Sequence, residues 1–154
     1  MAGRRSDLKI KKAFLDSSVL FTAVNSPTGG SAKLFTLKDI KLITSKLVLT
    51  EVERNIRLKL ENYHLDRFFL LVGKLEILKQ EPEIELIKKA QKYIVKKDAA
   101  ILAEAKKAKC EFFITLDKKH FLKPKIVNFL KPKKTFTPKM FFNYLDKRKP
   151  NFHN

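Results

Sequence analysis

Apolar positions along the 154-residue chain fall into two rhythms, and their alternation predicts the fold. Continuous apolar runs of the buried-strand type end residues 8–15 (Ala13, Phe14, Leu15) and fill IKLIT (40–44) and EFFIT (111–115), with KLEILK and KTFT as weaker members. Between these runs the pattern turns helical. It predicts a short helix over 18–25, a loop over NSPTGGSA, and a helix in SAKLFTL with Ser31 as candidate N-cap. Ser45 caps a long helix to about residue 62, in which Val48, Val52, Ile56 and Leu60 recur every four positions. Further helices are expected over 65–72, stopped by Gly73, and from Pro82 to about Tyr93. Asp98 opens another, with Ile101, Leu102, Ala105 and Ala108 inward, and PKMFFNYL is the last. Strands alternating with helices predict an α/β fold, a three-layer α/β/α sandwich around a central parallel sheet. No internal repeat is apparent, so residues 1–154 are expected to form one domain, with 1–7 a loose start and 146–154 a basic tail.

Ligands of such sheets bind beyond the carboxyl ends of the strands. Two acids stand there, Asp16 directly after the first strand and Asp117 after FFIT and Leu116. If those strands are neighbours, two like charges meet and need a proton or a cation between them. Asp98 lies three and four residues before Ile101 and Leu102 and so shares the face expected to be buried. Glu51 falls about 60° from Val48, on the margin of the long helix's stripe, and Glu53 lies farther towards solvent. Three of these acids have a plainer reading: Asp16 and Asp98 as N-caps, Glu51 as a boundary residue. Taken together they suggest carboxylates converging on one cleft, the donor set of Mg²⁺ or Mn²⁺.

Net charge sharpens this picture. The chain carries 34 Lys and Arg against 16 Asp and Glu, a formal charge of +18. The excess is uneven: from Lys118 onward there are eleven Lys or Arg and one acid, Asp146, interleaved with seven aromatic residues, among them Phe121, Phe129, Phe136, Phe141, Phe142 and Tyr144. A field of that sign attracts polyanions, nucleic acid foremost. A basic surface to hold the polyanion and an acidic pocket to hold a metal give both halves of the charge pattern one explanation. Cys110 is the single cysteine, which excludes an intramolecular disulfide and a cysteine-cluster zinc site. The N-terminus is basic, Asp16 interrupts the only nearby apolar stretch, and the densest apolar run, Phe68 to Val72, is too short to span a bilayer. The expectation is a cytoplasmic protein without a membrane partner.

The pieces AFLDSSVLFTAV, LVLTEVERNI, KKDAAILAEAKKAKCEFFITLDKKHFL and KTFTPKMFFNYL, in that order and spacing, resemble the PIN-domain nucleases over about residues 12 to 145. The resemblance implies metal-dependent hydrolysis of RNA phosphodiester bonds. It places the family's four acids on Asp16, Glu51, Asp98 and Asp117, as the catalytic Mg²⁺- or Mn²⁺-binding set. Ser17 and Thr115 fall where small hydroxyls support the site, with turn and cap chemistry as the alternative. Many members carry a further acid after the fourth; here Lys118, Lys119 and His120 stand in that stretch, candidates for substrate phosphate. The family includes toxins held by small inhibitory proteins, ribosomal RNA processing enzymes and quality-control factors, and its members are often homodimers.

Two other classes compete. An RNA-binding or assembly module with a PIN-like fold and little activity would use the basic surface alone. Transfer through a covalent aspartyl group, superficially suggested by FLD, wants a second Asp two residues later, where Ser18 stands.

Overall fold

The computed structural model describes residues 10–148. Five strands form one sheet: β1 (Lys11–Leu15), β2 (Ile40–Thr44), β3 (Glu76–Ile77), β4 (Phe112–Ile114) and β5 (Lys134–Phe136). All pairings are parallel and the spatial order is β3-β2-β1-β4-β5. The helices are α1 (Ser17–Asn25), α2 (Gly30–Lys33), α3 (Lys46–Lys59), α4 (Tyr63–Val72), α5 (Ile84–Ala90), α6 (Lys96–Lys107), α7 (Lys118–Phe121), α8 (Pro124–Leu130) and α9 (Pro138–Arg148). Right-handed crossovers place α1 to α4 on one face and α5 to α8 on the other. In agreement, α1 packs on α3 and α4, and α6 on α5 and α8. The expected three-layer α/β/α arrangement is what forms.

The continuous apolar runs are the strands buried on both faces. Ala13, Phe14 and Leu15 of β1 are fully buried, as are Phe113 and Ile114 of β4. Register sets Leu15 against Ile114 on one side and Phe14 against Ile43 on the other. Phe113 stacks on Phe14 with ring centroids 5.9 Å apart and meets Phe121 at 5.3 Å. Phe113→Ala empties the middle of this core and is expected to lower unfolding free energy by about 3–5 kcal/mol in a denaturant titration.

Chain order reverses at β1: β2 and β3 extend to one side of it, β4 and β5 to the other. The crevice beyond the carboxyl ends of β1 and β4 is therefore a topological switch point, where sheets of this kind bind ligands. Asp16 and Asp117 emerge at that edge, the first with its N–H donating to the Ile114 carbonyl at 3.2 Å.

Several boundaries differ from expectation. α6 begins at Lys96 with Val95 at its N-cap position, so Asp98 stands inside the first turn and is not the cap. Gly29 takes the N-cap position of α2, leaving Ser31 buried within it. α3 ends at Lys59, because Leu60 is extended, and α4 starts at Tyr63. α5 starts at Ile84, two residues beyond Pro82. α7 and α8 occupy a stretch for which the sequence pattern predicts no element; Pro124 at the start of α8 and buried Ile126 and Leu130, four apart, are the signals that mark the second of them. α9 continues through Arg148, and residues 1–9 and 149–154, with the expected loose start and most of the basic tail, lie outside the described residues.

Candidate active site

Asp16 does two jobs at once. It is the N-cap of α1, its Oδ1 accepting from the Val19 N–H at 3.3 Å and the Ser18 hydroxyl at 2.6 Å. Its Oδ2 accepts from Thr115 Oγ1 at 2.6 Å, across the β1–β4 junction. At 1% exposure the carboxyl is nearly sealed from water. Burial pushes its pKa up to about 6, against the pull of the Ser18, Thr115 and Val19 hydrogen bonds, and the nearby Asp117 charge adds to the rise. The N-cap forms as the spacing predicts, and the same carboxyl lines the cleft at the carboxyl edge of the sheet.

Thr115 joins the first acid to the fourth. Fully buried, it donates to Asp16 and accepts from the Asp117 N–H at 2.9 Å. Ser18 makes a second bridge, donating to Asp16 while accepting the Leu116 N–H at 3.0 Å. Asp117 caps α7 by accepting the His120 N–H at 3.1 Å, and the His120 ring Nδ1 lies 2.9 Å from its Oδ2. Ser17 donates to Glu51 Oε1 at 3.1 Å, which ties the helical Glu of α3 to the start of α1.

Asp16, Ser17, Glu51, Asp98, Asp117 and His120 line one cleft of about 360 Å³. Donor atoms of Asp98, Asp117 and His120 all lie within 4.8 Å of one another. Burial is the main cause of a raised Asp98 pKa; His120 and Lys97 lower it, and Asp117 and Glu51 raise it further. Lys118 and Lys119 are exposed on α7 and do not line the cleft, and Thr115 lies beneath it. Glu53 is turned away and pairs with Arg57 at 3.0 Å. Ser18, Asn55 and Phe21 also line the cleft, and the sequence pattern does not single them out. Asn55 stands one turn beyond Glu51 on the same face of α3 and is detectable at that spacing. Ser18 and Phe21 carry no comparable signal, because the bridge to Leu116 exists only once β4 is docked.

A parallel sheet that gathers acids at its switch point, inside a chain otherwise strongly basic, defines an α/β protein with an acid-lined cleft. The chain belongs to the PIN domain family, whose model matches residues 13–125. A comparison with curated protein sequences finds no match. Among solved structures, the fold is similar to VapBC2 from Rickettsia felis bound to a DNA fragment from their promoter. That match has a TM-score of 0.62 at 15% identity and covers 81% of this chain and 96% of that one. PAE2754 from Pyrobaculum aerophilum matches at 0.60 and 11% identity, over 89% of this chain and 97% of that one. Mycobacterium tuberculosis VapC20, described as a sarcin-ricin loop cleaving toxin, matches at 0.54 and 15%, over 70% and 91%.

Proposed function

We propose that this protein is a divalent-metal-dependent endoribonuclease, with Asp16, Glu51, Asp98 and Asp117 as its metal-binding carboxylates. The observation that carries the reading is the convergence of all four acids on one cleft in a chain of net charge +18. Membership of the PIN domain family and the likeness to a loop-cleaving toxin support it. The donor set fits Mg²⁺ or Mn²⁺: hard carboxylate oxygens, with the His120 imidazole beside them. Asp16 adds a physical argument, since a buried carboxyl whose pKa is lifted to about 6 is returned to its ionised form by a cation alongside.

Asp16, Glu51, Asp98 and Asp117 would hold the ion, which would supply Lewis acidity toward water and the phosphate. The chain's own residues do the positioning. Thr115 fixes Asp16 and the Asp117 backbone relative to each other, Ser17 aims Glu51, and His120 steadies Asp117. Lys97, at the cleft wall, offers a cation to the scissile phosphate. No helix among the described residues is long and apolar enough to cross a membrane. A cytoplasmic setting, where RNA is the abundant polyanion, fits the reading.

The test is cleavage of end-labelled single-stranded and hairpin RNA in Mg²⁺, Mn²⁺ and EDTA. Cleavage in the metals and none in EDTA is expected. Binding without cleavage in every condition would instead assign the protein to the RNA-binding module class. If it is a toxin, a small inhibitory protein would seat over the acidic cleft, and adding that partner would suppress cleavage.

Thr115→Ala is expected to weaken Mn²⁺ binding by about 10–100-fold, the usual effect of losing a residue that orients ligands. Thr115→Ser should restore most of it. Titration calorimetry reads both, and an unchanged affinity in the alanine variant would remove Thr115 from the site.

A further inference from the structure

The opposite edge of the sheet holds an arrangement that the cleft leaves unexplained. Where β1, β4 and β5 begin, two adjoining hollows of about 700 and 330 Å³ share Pro132, Lys133, Lys134 and Tyr144. Their walls carry five cations, Lys11, Lys131, Lys133, Lys134 and Arg148, and one acid, Glu111. Several of these cations are held by neutral groups. Lys134 Nζ sits 4.8 Å from the Tyr144 ring centroid and donates to its hydroxyl at 3.4 Å, and Arg148 donates to the same oxygen at 2.7 Å. Lys133 donates to the Lys106 carbonyl at 3.0 Å, while Lys106 donates to the Lys131 carbonyl at 2.8 Å. Tyr144 is backed by Phe136 and Phe112, with centroids 5.0 and 5.7 Å away.

Neutral anchors orient Lys133, Lys134 and Arg148. Bringing like charges together on a shared oxygen or along a shared backbone costs energy that an arriving anion relieves. Five cations spread along a concave surface suit a polymer with repeating charge better than a single anion. We propose that this groove is a second binding site, for the phosphate backbone of RNA, on the edge of the sheet opposite the acidic cleft. The proposal draws on the cleft reading only for the identity of the polyanion. A strand of five residues, about 16 Å, separates the two edges, so one RNA reaches both only if it is long or folded. The groove thereby selects bulky structured RNA over short oligonucleotides.

The test measures RNA binding in EDTA, where hydrolysis cannot interfere, by fluorescence anisotropy over a salt series. The triple variant Lys133→Gln, Lys134→Gln, Arg148→Gln is compared with a control removing three exposed lysines elsewhere, Lys41→Gln, Lys74→Gln, Lys88→Gln. The groove variant is expected to lose at least about tenfold in affinity for a long hairpin RNA. Its slope of log affinity against log salt becomes shallower by about 2, while the control loses much less. Affinity for an RNA short enough to fill only the cleft stays unchanged. Equal losses in the two variants would overturn the proposal, because the whole-molecule field would then be responsible. RNA binding unaffected by the groove variant, with loss of binding to a polyglutamate peptide, would overturn it in favour of an acidic protein partner. Failure of the nuclease reading is distinguishable: it shows as absent cleavage by the wild type with these binding differences intact.

Discussion

Asp117→Asn loses more than about 100-fold of metal-dependent RNA cleavage while keeping the fold. Asparagine has the shape of the carboxyl and an oxygen that still accepts the His120 N–H, so the cap of α7 survives. The Asp117 N–H is unaffected, and so is its bond to Thr115. What goes is one negative charge from a cluster whose donor atoms lie within 4.8 Å of one another. Residues that only orient ligands account for about 10–100-fold in affinity or activity, and loss of a ligand charge exceeds that. Asp98→Asn is expected to behave alike. Single-turnover cleavage in Mn²⁺, with circular dichroism to verify folding, makes the measurement. Full activity in both variants would sink the four-carboxylate assignment, whatever the RNA.

The second large effect concerns stability and pH. In the unfolded chain Asp16 titrates at its ordinary value of 3.8, and in the fold at about 6. Below about pH 4 both states hold the proton, and this residue imposes no penalty. Between pH 4 and 6 the folded state alone keeps it, so stability falls as pH rises through that window. A rise from 3.8 to about 6 corresponds to about 3 kcal/mol of stability lost by pH 7 in the metal-free protein. Asp98 is raised in the same direction and adds to the trend. Asp16→Asn has no such titration. Its stability relative to wild type is therefore expected to improve by about 3 kcal/mol between pH 4 and pH 7, read by urea denaturation in EDTA. Mn²⁺ competes with the proton, so its stabilisation of the wild type grows over the same window and is larger at pH 7.5 than at pH 5. A difference between the two proteins that stays flat with pH would show that Asp16 is ionised in the fold at no cost.

Much of this is legible in the sequence because parallel strands buried on both faces leave continuous apolar runs, and Ala13–Leu15 and Phe112–Ile114 are such runs. The acids at their carboxyl ends can be placed at a sheet edge before any coordinates. What the sequence does not carry is strand adjacency. That β1 lies beside β4 is a matter of sheet order, and only this turns Asp16 and Asp117 into neighbours. Ser18 illustrates the limit: its hydroxyl finds the Leu116 N–H 98 positions away, a contact with no local pattern. α7 and α8 are hidden for a different reason. They are four and seven residues long, and their lysines mask the two buried side chains that anchor α8. Asp98 is placed on the right face by its spacing, although the helix around it starts two residues earlier.

The bond between Thr115 and Asp16 spans 99 positions of sequence. A growing chain therefore makes Asp16 and Glu51 well before it has made the strand that aligns them, and Asp98 only shortly before it. On the nuclease reading, a half-made copy emerging beside the cell's most concentrated RNA is harmless. On that same reading the capacity to cut would arrive late, when β4 takes its place next to β1, and the order of synthesis would act as a safety catch.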